Sequence, residues 1–218
     1  MLLPTRENLI LAAIDLFGRN GFDGTSTRAI AARAGANIAG IAYHFGSKAG
    51  LRLACADYIA ELAGQRLVPL LPDAEISALT PEQAEARLGA VLDLLVGFIV
   101  ADPRGERFAR FMIREQMDLS PAFERVFTAF IAPMHRRACR LWAAATGQDA
   151  DSEMTALRVF SFVGQIVYFR VGRQVVLRRL GWETIGMEEA VRIAAVARRN
   201  LVAAIAAERR DRPDGARS

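Results

Sequence analysis

Apolar positions recur along this chain at three- and four-residue intervals, and no stretch keeps the two-residue rhythm of a strand. The pattern predicts an all-α protein. Ile10, Ala13, Ile14 and Phe17 form one buried face of a first helix, which Thr5 can cap and Asn20-Gly21 ends. Thr25 or Ser26 caps a short second helix with Thr27, Ile30, Ala31 and Ala34 as its inner stripe, and Gly35 closes it. Asn37 caps a third helix of barely two turns, running to about Phe45, with Ile38, Ile41 and Phe45 expected toward the core. Gly46-Ser47 restarts the chain into a fourth helix with the stripe Leu51, Cys55, Tyr58 and Leu62. Short helices joined by tight polar turns, with Ala34-Gly35-Ala36-Asn37 as the glycine-bearing link, suit a helix-turn-helix unit.

Pro69 and Pro72 interrupt the pattern, and residues 73–80 read as a loop. Thr80-Pro81 opens a helix carrying Leu88, Val91, Leu92, Leu95, Phe98 and Ile99, which Asp102-Pro103 ends. Residues 104–117 follow as another helix. Ser120-Pro121 then starts one that runs to about Thr146, with Pro133 inside it to kink it or locally break its hydrogen bonds. Residues 149–180 are apolar nearly all round, so a helix there needs neighbours on both sides. Gly164 and Gly172 lie on about one face of it and would admit another helix closely. A last helix, Met187–Arg210, alternates small aliphatic stripes with arginines, and residues 211–218 read as a disordered tail. The resulting division is a three-helix helix-turn-helix domain over 1–50, a linking helix over 48–64 and a larger helical domain over 65–210.

Composition changes this picture little. At 52% apolar and 24% charged the chain is ordinary for a globular protein. Its start lacks an apolar core behind a basic cap, and Leu88–Ala101, the longest apolar stretch, carries Asp93 and is too short to span a bilayer. A cytoplasmic protein with no membrane partner is expected. Cys55 and Cys139 form neither a disulfide framework nor a metal motif and read as core thiols.

Charge distribution says more than the net charge of +4. Between Gly24 and Ala56 there is no Asp or Glu, while Arg28, Arg33, Lys48 and Arg52 are present. Such a patch can attract a phosphate backbone, and a solvated basic face is the competing reading. Lys48 is the single lysine among 28 basic residues, which singles it out.

Catalytic signatures are missing. The two histidines come with no phosphate loop, no Gly-x-Ser-x-Gly and no His-Glu-x-x-His, so no enzyme and no cofactor are expected. His135 and Cys139, four apart, would give a metal two ligands, too few for a structural site; a satisfied histidine beside a core thiol is the other reading. Glu115 and Asp118 are either an acid–base pair or surface carboxylates.

Read in order, Thr5-Arg6-Glu7, Ala12-Ala13, Leu16-Phe17, the run from Gly21 to Ala31, Ala34-Gly35 and the run from Ile41 to Lys48 resemble the N-terminal domain of the TetR family of repressors. Ala42 stands where that family usually has tyrosine, with Tyr43 one place later, and Ala49-Gly50 replaces the acidic residue often found after the lysine. The run from Phe111 to Gln116, then Ser120-Pro121, Ile131-Ala132-Pro133, Thr146-Gly147, Phe169–Arg173 and Leu180-Gly181-Trp182 resemble the CecR-type subfamily. The resemblance implies a ligand-responsive repressor with a helical effector domain that dimerises through its last two long helices. As a dimer it would bind an inverted-repeat, double-stranded operator, and a small hydrophobic effector would release it.

On that reading the third helix enters the major groove with Asn37, Ala39, Gly40, Tyr43 and His44 outward. Ala39, Gly40 and Ala42 offer base edges almost no hydrogen bonds, so contact with thymine methyls and close backbone approach are expected in place of bidentate readout. Arg28 meets a guanine or a phosphate, and Lys48, at the start of the fourth helix, meets a phosphate. Thr27 and Tyr43 bring hydroxyls and His44 a ring nitrogen, with packing as the alternative for the two aromatic side chains. Phe98, Phe111, Met112, Phe127, Phe130, Met134 and Phe160 are the candidate effector lining, or plain core. Gly164, Val167, Val171, Gly172, Val175, Val196 and Leu201 are the candidate homodimer interface, or the faces of helices buried within one chain. An all-α enzyme or carrier, and an adaptor with a basic surface, are the alternatives that DNA binding separates from a repressor.

Overall fold

The computed structural model describes residues 5–210; residues 1–4 and the segment 211–218 read as a tail lie outside the described residues. Every regular element among them is helical. In chain order these are α1 (Thr5–Asn20), α2 (Thr27–Ala34), α3 (Ala39–Phe45), α4 (Lys48–Leu67), α5 (Asp73–Ile76) and α6 (Pro81–Leu95). They continue as α7 (Pro103–Met117), α8 (Pro121–Val126), α9 (Ala132–Thr146), α10 (Glu153–Val171), α11 (Arg173–Leu180) and α12 (Met187–Arg210). Two π-helical segments, Val96–Ala101 and Phe127–Ile131, follow α6 and α8.

The helices gather into two compact units. One holds the described residues up to Gly64 together with Pro103–Ile131; the other holds Gln65–Asp102 and the chain from Ala132 onward. In the first unit α1 is the centre. Leu9, Ile10, Ala13, Ile14 and Phe17 are all buried, and α2, α3 and α7 pack around them. Helix α7 belongs to this unit because it crosses α1 at Gly18, where an added Cβ would stand 3.1 Å from the Phe111 backbone nitrogen. The division read in the sequence, at about residue 65, gives no hint of this return.

Local chemistry sets the ends of these helices. Gly21 (φ +78°) and Gly35 (φ +62°) take the left-handed turns that close α1 and α2. Ser26 caps α2, its Oγ accepting from the Ala29 N–H at 3.1 Å, while Thr25 donates to the Gly21 carbonyl at 2.7 Å.

In the second unit α6, α9, α10 and α12 pack around Leu92, Leu141, Trp142, Val159, Ile166, Leu201 and Ile205. Thr80 and Gln83 make a reciprocal capping box at α6, and Ser152 caps α10. Pro133 interrupts the chain as foreseen: a π turn ends at Ile131 and α9 restarts with proline in its first turn.

Two sequence readings are corrected. Residues 73–80 contain the one-turn α5, anchored by buried Ile76 and by Asp73, which pairs with Arg137 and Arg140. Residues 149–180 do not form one helix, since α10 ends at Gly172 and α11 restarts there. A Cβ on Gly172 would meet the Tyr168 ring at 2.9 Å, so glycine serves the break itself.

The π turn after α6 leaves carbonyls out of the usual ladder, and Arg170 of α10 supplies donors for them. Its Nε donates to the Ile99 carbonyl at 2.6 Å, and its Nη2 to those of Val100 (2.6 Å) and Asp102 (3.4 Å). The arginine is buried, so these bonds form without competing water. Arg170→Leu is expected to destabilise the protein by about 3 kcal/mol, because buried carbonyls lose charge-assisted partners. Urea unfolding measures it, and an unchanged midpoint would deny Arg170 this role.

Candidate nucleic-acid interface

Helices α2, α3 and α4 present one surface of the first unit. At α3 the chain enters with the Asn37 Oδ1 accepting the Ala39 N–H at 2.9 Å, a cap offset by one residue from the helix start. Ile41 is buried and Phe45 half-buried, as the spacing predicts. Ile38 is the correction: it is 48% exposed, not part of the core. Ala39 and Ala42 are exposed beside it, and Tyr43 stands out at 85% exposure. Gly40 and His44 are half-buried, the His44 ring meeting Tyr43 edge-on at 4.8 Å.

The α3–α4 turn is unusually tight. Gly46 adopts φ +73°, and a Cβ on Gly50 would overlap the Phe45 carbonyl oxygen. That overlap explains a glycine in α4's first turn, where the TetR-like pattern leads one to expect an acidic neighbour. Ser47 caps α4 by accepting the Gly50 N–H at 3.0 Å.

Tertiary ion pairs then sort the cations of the basic patch. Asp15 is buried in α1 and draws Arg19 (2.9 Å) and Arg33 to it. Glu115 is buried in α7 and accepts from Arg52 Nε at 3.0 and 2.8 Å, with the Ser120 hydroxyl as a further donor. Glu115 and exposed Asp118 are therefore not an acid–base pair; the first carboxylate fixes α4 to α7. Among the described residues no carboxylate pairs with Arg28 or Lys48. Lys48 Nζ sits 4.3 Å from the centroid of the Phe22 ring, and the Arg52 guanidinium carbon lies 4.6 Å from the same centroid. The lysine is thereby steered but not neutralised. Thr27, half-buried, is the first residue of α2, and Arg28 is exposed next to it.

The candidate effector residues separate. Phe111, Met112, Phe127 and Phe130 belong to the first unit, and Phe98, Met134 and Phe160 to the second. Phe111 is wholly buried core, whereas Phe160 is exposed and stacks on His135 with centroids 3.9 Å apart. The second unit has an apolar cavity of about 60 Å³ lined by Leu88, Leu92, Leu95, Trp142, Phe162 and Ile166 among others, and none of the seven lines it. Among the described residues the buried Trp142 indole N–H has no hydrogen-bond partner. Aliphatic stripe positions of α6 and α10 make this cavity, and nothing in their spacing separates lining from core.

His135 is satisfied locally. Its Nε2 is 3.3 Å from the Ala156 carbonyl and its Nδ1 3.6 Å from Cys139 Sγ, and burial holds it below the usual imidazole range. No cluster of three potential metal ligands occurs among the described residues.

Of the candidate interface residues, Gly164, Val171, Val175 and Val196 are exposed and Val167 and Gly172 half-exposed. Leu157, Phe160, Gly164, Tyr168 and Val171 continue one exposed line along α10, while Val159 and Ile166 face inward. Leu201 is corrected: it is buried within the unit and lines the cavity.

Similarity to known proteins falls on two stretches of the chain. Residues 9–55 match the family described as bacterial regulatory proteins of the TetR family, and residues 84–208 match the C-terminal domain of the HTH-type transcriptional dual regulator CecR. The chain is 35% identical to the dual regulator CecR of Shigella flexneri over 84% of this chain and 83% of that one. It is 58% identical to the transcriptional regulatory protein RaaS of Mycobacterium tuberculosis over 50 residues, 23% of each. Among solved structures, AibR in complex with isovaleryl coenzyme A and operator DNA superposes with a TM-score of 0.65 at 16% identity, covering 89% of this chain and 96% of that one. A TetR-like regulator from Rhodococcus sp. RHA1 gives 0.61 at 22% identity, covering 92% and 98%. The relatives are transcriptional regulators, not enzymes.

Gly50→Ala tests the turn that carries Lys48. Its methyl cannot share space with the Phe45 carbonyl, so a loss of about 1–3 kcal/mol is expected. A thermal midpoint equal to that of the unmodified protein would show that the turn tolerates a side chain.

Proposed function

We infer the following from the premise that this chain belongs to the TetR family of transcriptional regulators and resembles CecR: it is a ligand-responsive repressor that grips an inverted-repeat operator as a homodimer. The observation that carries this reading is the surface of α2–α4, where an exposed α3 face accompanies Arg28 and Lys48, both without carboxylate partners. A seven-residue α3 reaches only a few bases, so two copies are needed for a specific site. Lys48 and the free N–H groups at the start of α4 meet one phosphate, with the hydroxyls of Thr27 and Tyr43 as further donors. Asn37, Ala39, Gly40 and His44 complete the face toward the groove.

The dimer forms through α10, α11 and α12, whose exposed line from Leu157 to Val175 and exposed Val196 supply an apolar face that an isolated chain leaves in water. A small hydrophobic effector enters the second unit, where Phe98, Met134 and Phe160 are candidate contacts and the apolar cavity beside Trp142, about 60 Å³ here, widens to seat it. It releases operator only if it binds better to the conformation whose α3 helices miss the half-site spacing. α4, rooted at Lys48, is the lever. The place of action is the cytoplasm, in keeping with the absence, among described residues, of a helix long and apolar enough to cross a membrane.

Two measurements test this. Arg28 and Lys48 give about four cationic phosphate contacts per dimer, so log K should fall with log salt at a slope near −3.6, and Lys48→Ala should flatten it by about 1.8. A Lys48→Ala protein with altered base preference and an unchanged slope would remove the phosphate role. Sedimentation at micromolar concentration should give a dimer; a stable monomer would refute the paired-helix assembly.

A further inference from the structure

We propose that α3 selects its half-site through thymine 5-methyl groups, with Ile38 as the principal contact; this deepens, and rests on, the operator reading above. The argument begins with a side chain out of place. The spacing of Ile38, Ile41 and Phe45 places all three inward, yet Ile38 keeps 48% of its surface in water. It shares the outer face with Ala39, Ala42 and Tyr43, positions that fall on one side of a helix. That side carries three alkyl groups and one phenol, with Asn37 and His44 at its margins.

Such a face is poor in hydrogen bonds by construction. Alanine and isoleucine donate and accept nothing from their side chains. Asn37, the residue able to pair bidentately with adenine, spends its Oδ1 on the Ala39 N–H. That cap bond ties the amide to the helix start, and its oxygen keeps a single lone pair, so a bidentate grip on adenine is open only in that fixed orientation. What remains readable in the major groove by alkyl contact is the C5-methyl of thymine. Charge fixes the occupant as nucleic acid: the same unit carries Arg28 and Lys48 with no carboxylate against them, so an anionic duplex is matched and an acid-free apolar peptide is not.

The test uses the full-length protein and duplexes recovered by its selection from a randomised library. Each thymine of the recovered half-site is replaced, in symmetric pairs, by deoxyuracil, which deletes the methyl and keeps every hydrogen-bonding edge. Burying one methyl-sized group is worth about fourfold in affinity, so the critical pair should weaken binding about 15-fold at fixed salt. Ile38→Ala should bind the thymine and deoxyuracil forms of that duplex within about twofold of each other, and Ile38→Val should retain part of the discrimination. Both variants should keep the salt slope of the unmodified protein, which shows that the phosphate grip and the fold are intact. If every deoxyuracil duplex binds as well as its parent, or Ile38→Ala still discriminates, the methyl reading is overturned while operator binding stands. If selection recovers no duplex at all, the operator reading fails and takes this inference with it.

Discussion

A carboxylate removed from water has to be given a cation, and two such carboxylates organise the first unit. Asp15 and Glu115 are nearly inaccessible, at 2% and 1% exposure, and each is held by arginine. Removing Arg52 strands the Glu115 charge, at a cost of about 3–5 kcal/mol, whereas Asp15 has two arginines to share it. Arg33 and Arg52 are consequently committed to the fold. The pairing also ties together elements far apart in sequence: Arg33 joins α2 to α1, and Arg52 joins α4 to α7. What is left of the basic patch is Arg28 and Lys48. Subtracting the structural cations reduces a diffuse positive charge to two unpaired cations, one on α2 and one at the head of α4.

The same logic reaches Lys48 through Phe22. Arg52, oriented by Glu115, lies over the phenyl ring that Lys48 also covers. A ring shared by two cations restricts where the lysine ammonium can go without removing its charge. Gly50 acts on the same spot from the backbone side, since the space it leaves open is filled by the Phe45 carbonyl. Position and charge of the lysine are thus set by different residues, and neither device is visible in the lysine itself.

Much of this architecture is legible in the sequence because it is local. The ends of α1 and α2 follow from Gly21, Gly35 and Ser26, the start of α6 from Thr80-Pro81, and the whole of α12 from its stripe. What escapes is decided at long range. The pairing of Arg52 with Glu115 spans 63 residues, and the packing of α7 on α1 depends on Gly18, which no turn signal marks. The π turns escape because a widened turn keeps the apolar pattern almost unchanged, and only donors such as Arg170 reveal its carbonyls. For the cavity the difficulty is different: Leu88, Leu92 and Ile166 obey core periodicity whether they touch a neighbour or an empty space. Searching for aromatic residues therefore finds Phe111, which is core, and passes over Trp142.

The instructive positions are those where periodicity predicts burial and the chain withholds it. Ile38 in α3 fits the inward spacing but is exposed, and Leu157, Phe160, Val171 and Val175 form an apolar line on a segment that is hydrophobic nearly all round. Each exposed apolar side chain forgoes part of the roughly 1.5–3 kcal/mol that full burial would return. The fold leaves several such residues in water in two separate places. On α3 the exposed side chains share their unit with Arg28 and Lys48, cations that no carboxylate neutralises among the described residues. On α10 and α11 the line carries Leu157, Gly164, Val171 and Val175, an apolar strip that exposed Arg178 and Arg179 flank at its α11 end.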